Sequence, residues 1–238
     1  SIYIRLVIMF KSKDRILIVA SHPDDEVIGC GGTILKAIES GCSVAVIFLG
    51  EGVSTRYPGK ELLKESLDAK IVREKECKKS LKILGIKDYK FGSLFCTKFD
   101  TYPLVQIVRI IEKKINSFKP NIILTQNPYE VNIDHTITYK AVEVAARPFN
   151  KKFLRSIYSF ETVCSGNFAF ENKFSPNVYV NIKKFWKKKL LAFKAYNNEI
   201  RKYPFPRSMK GIEIQARYRG LQAGHELSEG FKLERSCY

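Results

Sequence analysis

The chain has 238 residues, with 41 Lys+Arg against 24 Asp+Glu, which gives a formal net charge of +17. Its 45% apolar and 27% charged residues are the balance of a globular protein, and 12% aromatics exclude a disordered or low-complexity chain. The apolar stretch over 2–10 is broken by Arg5, is far shorter than the roughly 20 residues a bilayer requires, and has no signal-peptide pattern.

In chain order, residues 15–20 (RILIVA) form a near-continuous apolar run, as expected for a strand buried on both faces of a parallel sheet. A polar segment over 21–26 follows, then a glycine cluster at Gly29, Gly31 and Gly32, then a helix over 33–40 that Gly41 ends. Residues 43–49 read as a second strand and 50–59 as a long loop. A charged helix over 61–84 stops at Gly85, and a short strand near 89–91 precedes a helix over 102–118. Lys119-Pro120 breaks the chain before another buried strand, 121–125. A loop over 126–133 then leads into a helix over 135–147 that Pro148 stops. The second half is less regular, with strands over 156–160 and 178–181 and a helix over 182–196. This alternation predicts an α/β fold, a Rossmann-like three-layer sandwich with a mostly parallel sheet. With no repeat and no linker composition, one domain over 1–238 is expected.

In such sheets ligands bind outside the carboxyl ends of the strands. Two loops with unusual content fall there: Ser21-His22-Pro23-Asp24-Asp25-Glu26 and Asn132-Ile133-Asp134-His135. Three acids and a histidine so close together repel one another unless a cation joins them, and mixed nitrogen and oxygen donors suit Zn2+. Either histidine alone would pass as a structural residue, and the acids alone as a helix start, where they favour the dipole. Their conjunction points to a metal site. The glycines do not make a dinucleotide fingerprint, because Ile34 stands where the third glycine belongs and the acids would repel a pyrophosphate. The six cysteines form no C-x-x-C pair, which predicts reduced thiols in a cytoplasmic protein and argues against a thiolate zinc site. The basic surplus suits either an anionic partner or simple solubility. Its densest run, Lys183, Lys184 and Lys187 to Lys189, falls on an amphipathic helix. No groove-reading or base-stacking motif accompanies it, so nucleic acid is not expected as a partner. A non-catalytic nucleic-acid-binding protein is the alternative from a different class.

The motifs resemble those of the LmbE-like or PIG-L superfamily of zinc-dependent N-deacetylases. His22-Pro23-Asp24-Asp25-Glu26 with Gly31-Gly32 is similar to the family's amino-terminal signature, and Asp134-His135 to its second metal motif. Gly50-Glu51-Gly52, Arg73-x-x-Glu76, Leu84-Gly85, Arg147-Pro148, Tyr218-Arg219-Gly220 and Glu229-Gly230-Phe231 follow in the family's order. The resemblance implies zinc held by His22, Asp25 and His135, with Asp24 as the general base and Asn132 and Asp134 completing the catalytic group. Arg73, Arg56 and His225 are the candidates for substrate binding. The implied activity removes the N-acetyl group from an N-acetylglucosamine-type sugar on a small-molecule or glycan carrier, releasing acetate. A metal-dependent amidase on a non-sugar or thiol-linked amide is the alternative. No stable membrane insertion is expected, and homo-oligomerisation is left open. One departure stands out: many relatives carry a histidine three positions before the second metal histidine, and here that position is Asn132. Its amide can donate a hydrogen bond to an oxyanion but cannot titrate. If the metal reading is right, His22 and His135 must lie within about 8 Å of each other.

Overall fold

The computed structural model describes residues 9–60, 62–149 and 151–237, so most of the amino-terminal apolar stretch (1–8) and Glu61 lie outside the described residues. The elements in order are β1 (Arg15–Ala20), α1 (Asp25–Glu39), β2 (Ser43–Gly50), α2 (Lys64–Leu84), β3 (Asp88–Leu94), α3 (Leu104–Phe118) and β4 (Ile122–Gln126). There follow α4 (Ile133–Ala145), β5 (Ser156–Phe160), β6 (Val178–Asn181), α5 (Trp186–Lys194), α6 (Met209–Ala223) and β7 (Ser228–Ser236). The strands form one seven-stranded sheet in the order β3-β2-β1-β4-β5-β7-β6. The pairs from β3 through β5 are parallel, and β7 runs antiparallel to both β5 and β6.

Side-chain alternation along β1 shows why the sheet is sandwiched. Ile16, Ile18 and Ala20 face a core filled from α1, α2, α5 and α6, among them Ile34, Leu81, Phe193 and Ile212. Leu17 and Val19 face a second core filled from α3 and α4, including Ile107, Ile111 and Val142. A strand apolar on every residue therefore has helices over both faces, as the composition of 15–20 predicts. This is the expected mostly parallel α/β sandwich.

Three expectations need correction. Helix α1 begins at Asp25, not at 33, and the glycine cluster lies inside it. The glycines serve packing: a Cβ on Gly32 would stand 2.6 Å from Ile182 Cγ2. The helix breaks at Cys30 (φ −143°, ψ 19°), and a buried ion pair fills the break. Lys189 Nζ donates to the Ile28 carbonyl (2.8 Å) and to Glu229 Oε1 (2.6 Å). Glu229 in turn accepts from the N–H groups of Gly32 (2.8 Å) and Thr33 (2.7 Å). Backbone groups on both sides of the break thus find partners from α5 and β7. Second, the helix expected over 182–196 is a 3-10 turn (Lys183–Phe185) followed by α5, and Lys189 of the basic run is buried. Third, α6 and β7 were not anticipated.

Candidate metal centre

Strands β1 and β4 are neighbours, each with a parallel partner on its other side, so their carboxyl ends open a crevice at the point where strand order reverses. His22 leaves β1 there, and His135 occupies the first turn of α4, just after β4. Their ring centroids are 5.5 Å apart, well inside the limit set by the sequence argument. Asp25, at the start of α1, lies between them: Oδ2 is 3.7 Å from His22 Nδ1 and Oδ1 is 3.6 Å from His135 Nε2. Donors about 2.1 Å from one ion in a tetrahedron stand about 3.4 Å apart, so two imidazoles and one carboxylate at these spacings suit a divalent cation such as zinc.

Buried carboxylates behind the rings fix their tautomers. Asp134 Oδ2 is 2.8 Å from His22 Nε2 and also accepts from the Thr97 N–H (2.6 Å), while Oδ1 accepts from the Phe99 N–H (3.0 Å). Glu130 Oε2 pairs with His135 Nδ1, while its Oε1 accepts from Thr162 N (2.7 Å) and Asn127 Nδ2 (2.7 Å). Each ring, when neutral, donates backwards and turns a bare nitrogen towards Asp25, the arrangement in which carboxylates orient histidines that hold a metal. Burial opposes protonation of His135, but Asp25 and Glu130 outweigh it and raise its pKa. Burial likewise opposes protonation of His22, and its contacts with Cys96, Asp134 and Asp25 hold the pKa well above the ordinary value.

Asp24 sits beside these groups with φ at 123°, in the region that favours glycine, so its backbone is strained at the edge of the site. Burial pushes its carboxyl up to about 7; Asp25 adds to the rise, and Arg73 and Arg207 oppose it. Arg73 Nη1 is 3.8 Å and Arg207 Nη1 3.5 Å from Asp24 Oδ2. The neighbouring Glu26 is pushed up to about 8 by burial, against the hydrogen bond it accepts from Tyr196 (2.7 Å).

The other expected residues fall as follows. Asn132 lines the cavity that holds His22, Asp24, Asp25 and His135, but its Oδ1 caps α4 by accepting from Asp134 N (3.0 Å), which leaves Nδ2 as its donor. Asp134 was expected among the catalytic groups. It is fully buried behind His22 and does not line the cavity, so it orients the ring. Arg73 is buried, pairs with Glu199 and donates to the Pro23 carbonyl (2.9 Å), so it braces the loop that carries Asp24. Arg56 lines the cavity, half exposed, with Nη2 2.5 Å from Glu199 Oε1. His225 does not join the site; it pairs with Ser228 Oγ (2.9 Å) ahead of β7. Sequence reasoning missed Glu130, Cys96, Glu199 and Arg207. Only Glu130 carried a usable signal, as an acid five residues before His135 in a strand-end loop.

The profile of the family described as GlcNAc-PI de-N-acetylase (PIG-L) matches residues 17–146. A Bacillus anthracis protein described as "Probable N-acetyl-alpha-D-glucosaminyl L-malate deacetylase 2" is 30% identical over 194 residues, 79% of this chain and 83% of the relative. The diacetylchitobiose deacetylase of Thermococcus kodakarensis is 28% identical over 234 residues, 94% of this chain and 84% of the relative. The solved structure of N,N'-diacetylchitobiose deacetylase from Pyrococcus horikoshii superposes with a TM-score of 0.72 at 20% identity, over 92% of this chain and 83% of that one.

Proposed function

The chain belongs to the PIG-L family of de-N-acetylases, and from that premise we propose that it is a zinc-dependent deacetylase of N-acetylglucosamine-type sugars. The observation that carries the proposal is Asp25 set between two histidines, each braced by its own buried carboxylate. Zinc held by His22, Asp25 and His135 would supply a Lewis acid that polarises an amide carbonyl and lets water act as a nucleophile near neutral pH.

The chain's own residues do the rest. Asp24 takes the proton of the attacking water and passes it to the departing nitrogen, so that amide plus water gives acetate and a free amine. Arg73 and Arg207 hold that carboxylate in place. Asn132 Nδ2 donates to the carbonyl oxygen as negative charge develops on it. Arg56, which lines the cavity and is more exposed than Arg73 or Arg207, meets the carrier of the sugar. Six free cysteines, four of them buried, suit a reducing compartment, and the proposal includes a cytoplasmic location.

The test is acetate release by metal-loaded protein from free N-acetylglucosamine, its disaccharide, its nucleotide conjugate and N-acetylated glycosides. Asp24→Asn should keep its metal and lose at least about a hundredfold in turnover. Near-normal turnover in that variant would refute the assignment of the base, and no release from any substrate would refute the substrate class.

A further inference from the structure

The peptide unit that joins Pro23 to Asp24 is gripped at both of its polar groups. Arg73 Nη1 donates to the Pro23 carbonyl (2.9 Å), and the Asp24 N–H donates to Glu26 Oε2 (3.0 Å). Both side chains are buried, and Tyr196, also fully buried, donates its hydroxyl to the other oxygen of Glu26 (2.7 Å). Neither Glu26 nor Tyr196 lines the cavity that holds His22, Asp24, Asp25 and His135, so neither touches a substrate there.

Asp24 requires such a grip. Its φ of 123° lies where a side chain is unfavourable, and a backbone of this kind persists only where its surroundings over-determine it. The Asp24 carbonyl is fixed as well, by the N–H of Ile28 in the first turn of α1 (3.0 Å). Turning the Pro23–Asp24 peptide would relax φ, but it would take the N–H from Glu26 and the carbonyl from Arg73 together. A buried N–H left without an acceptor is costly, so the turned form is disfavoured. Because the backbone N, Cα and C atoms place Cβ, holding the peptide also aims the Asp24 carboxylate.

We propose that Glu26, backed by Tyr196, is a positioning residue for Asp24: it holds the strained Pro23–Asp24 peptide and so sets where the Asp24 carboxylate stands. The inference rests on the reading of Asp24 as the base. Glu26 acts here as a hydrogen-bond acceptor. A glutamine can accept from the Asp24 N–H through Oε1 and donate through Nε2 to the Tyr196 oxygen, so Glu26→Gln keeps the grip. Glu26→Met fills the same space and loses it.

Pro23-Asp24 is the only Pro-Asp pair in the chain. Isotope labels on the proline carbonyl carbon and the aspartate nitrogen therefore give one NMR signal, that of the Asp24 N–H, whose hydrogen exchange is read without a substrate. In the zinc-loaded full-length chain, Glu26→Met should speed this exchange at least about a hundredfold, and Glu26→Gln less than about tenfold. On the fastest of the four substrates above, Glu26→Met should lower kcat about 10- to 100-fold and change KM less than about twofold. Glu26→Gln should keep kcat within about threefold, and Tyr196→Phe, a milder variant that keeps the ring, should lower it about three- to tenfold. In an Asp24→Asn background, Glu26→Met should change the residual turnover less than about twofold, because the group it positions is gone. Unchanged exchange in Glu26→Met, a loss of kcat as deep in Glu26→Gln as in Glu26→Met, or full additivity with Asp24→Asn would each overturn the proposal. Near-normal turnover in Asp24→Asn alone would instead refute the base, and the exchange result would still decide whether Glu26 holds the peptide.

Discussion

Replacing Lys189 with Met tests whether the ion pair in the α1 break stabilises the fold or only fills space. The unbranched side chain keeps most of the stem that packs on Gly31, where a Cβ would come 3.3 Å from Lys189 Cγ. What is lost is the ammonium group and its bonds to the Ile28 carbonyl and Glu229. Removing one partner of a buried ion pair costs about 3–5 kcal/mol. Glu229 still accepts from the Gly32 and Thr33 N–H groups, so the cost should fall near the lower end, about 3 kcal/mol. Glu229→Gln should cost a similar amount, because it leaves the ammonium buried and turns an amide N–H against a backbone donor. The double variant should cost less than the sum of the two by about 1–3 kcal/mol, since it leaves neither charge unpaired. Urea unfolding at fixed metal loading measures all three. If Lys189→Met costs less than about 1 kcal/mol and the double variant is additive, the pair is incidental and α1 is held by packing alone.

Other outcomes follow from neighbouring features. Glu130→Gln weakens the hold on His135 Nδ1 and should lower zinc affinity about 10- to 100-fold in a competition assay, with little change in the far-ultraviolet circular dichroism spectrum. Gly32→Ala drives a methyl group into Ile182 and should destabilise the fold by about 1–3 kcal/mol, visible as a lower Tm. Burial favours the protonated form of Asp14, but the bidentate Arg155 (2.7 and 3.1 Å) and the Lys11 N–H (2.8 Å) outweigh it and hold its pKa below 3.8. A folded-state pKa below the unfolded value gives stability that is full above the unfolded value and lost as pH falls through the folded one. Asp14→Asn should therefore flatten the loss of stability below about pH 4 in acid titrations followed by denaturant unfolding.

Much of the candidate site was legible because its residues sit next to the strongest local signals in the chain. β1 and β4 are buried along almost their whole length, so their apolar runs stand out, and the polar loops behind them carry His22, Asp25 and His135. What stayed hidden depends on partners far away in sequence. Glycines normally interrupt helices, and those of α1 read as a loop because the surfaces they pack on, Phe160 and Ile182, lie more than a hundred positions away in sequence. α6 buries only Ile212, Ala216, Arg219 and Gly220, too few for a clear periodic stripe, and β7 is half-exposed over its later residues. Arg73 matched a family motif yet turned inward, because its acidic partner, Glu199, lies 126 positions away in a segment with no pattern of its own. Lys189 was hidden for the same reason: a lysine run reads as solvent-facing until a buried carboxylate is found for one member.

The direction in which the chain is synthesised gives the α1 break a further meaning. His22, Asp25 and His135 are all made before Lys189, Glu199, Arg207 and Glu229 leave the ribosome. The hydrogen bond between Gly32 and Glu229 spans 197 positions, and that between Asp24 and Arg207 spans 183. Contacts of such separation form late, because a long loop must close before they return any energy. A growing chain thus carries every proposed metal ligand well before it can hold α1 in its broken geometry or place the arginines around Asp24. Assembly of the centre is thereby tied to completion of the polypeptide, and a fragment cut short beyond α4 would display the ligands without the frame that gives them their spacing.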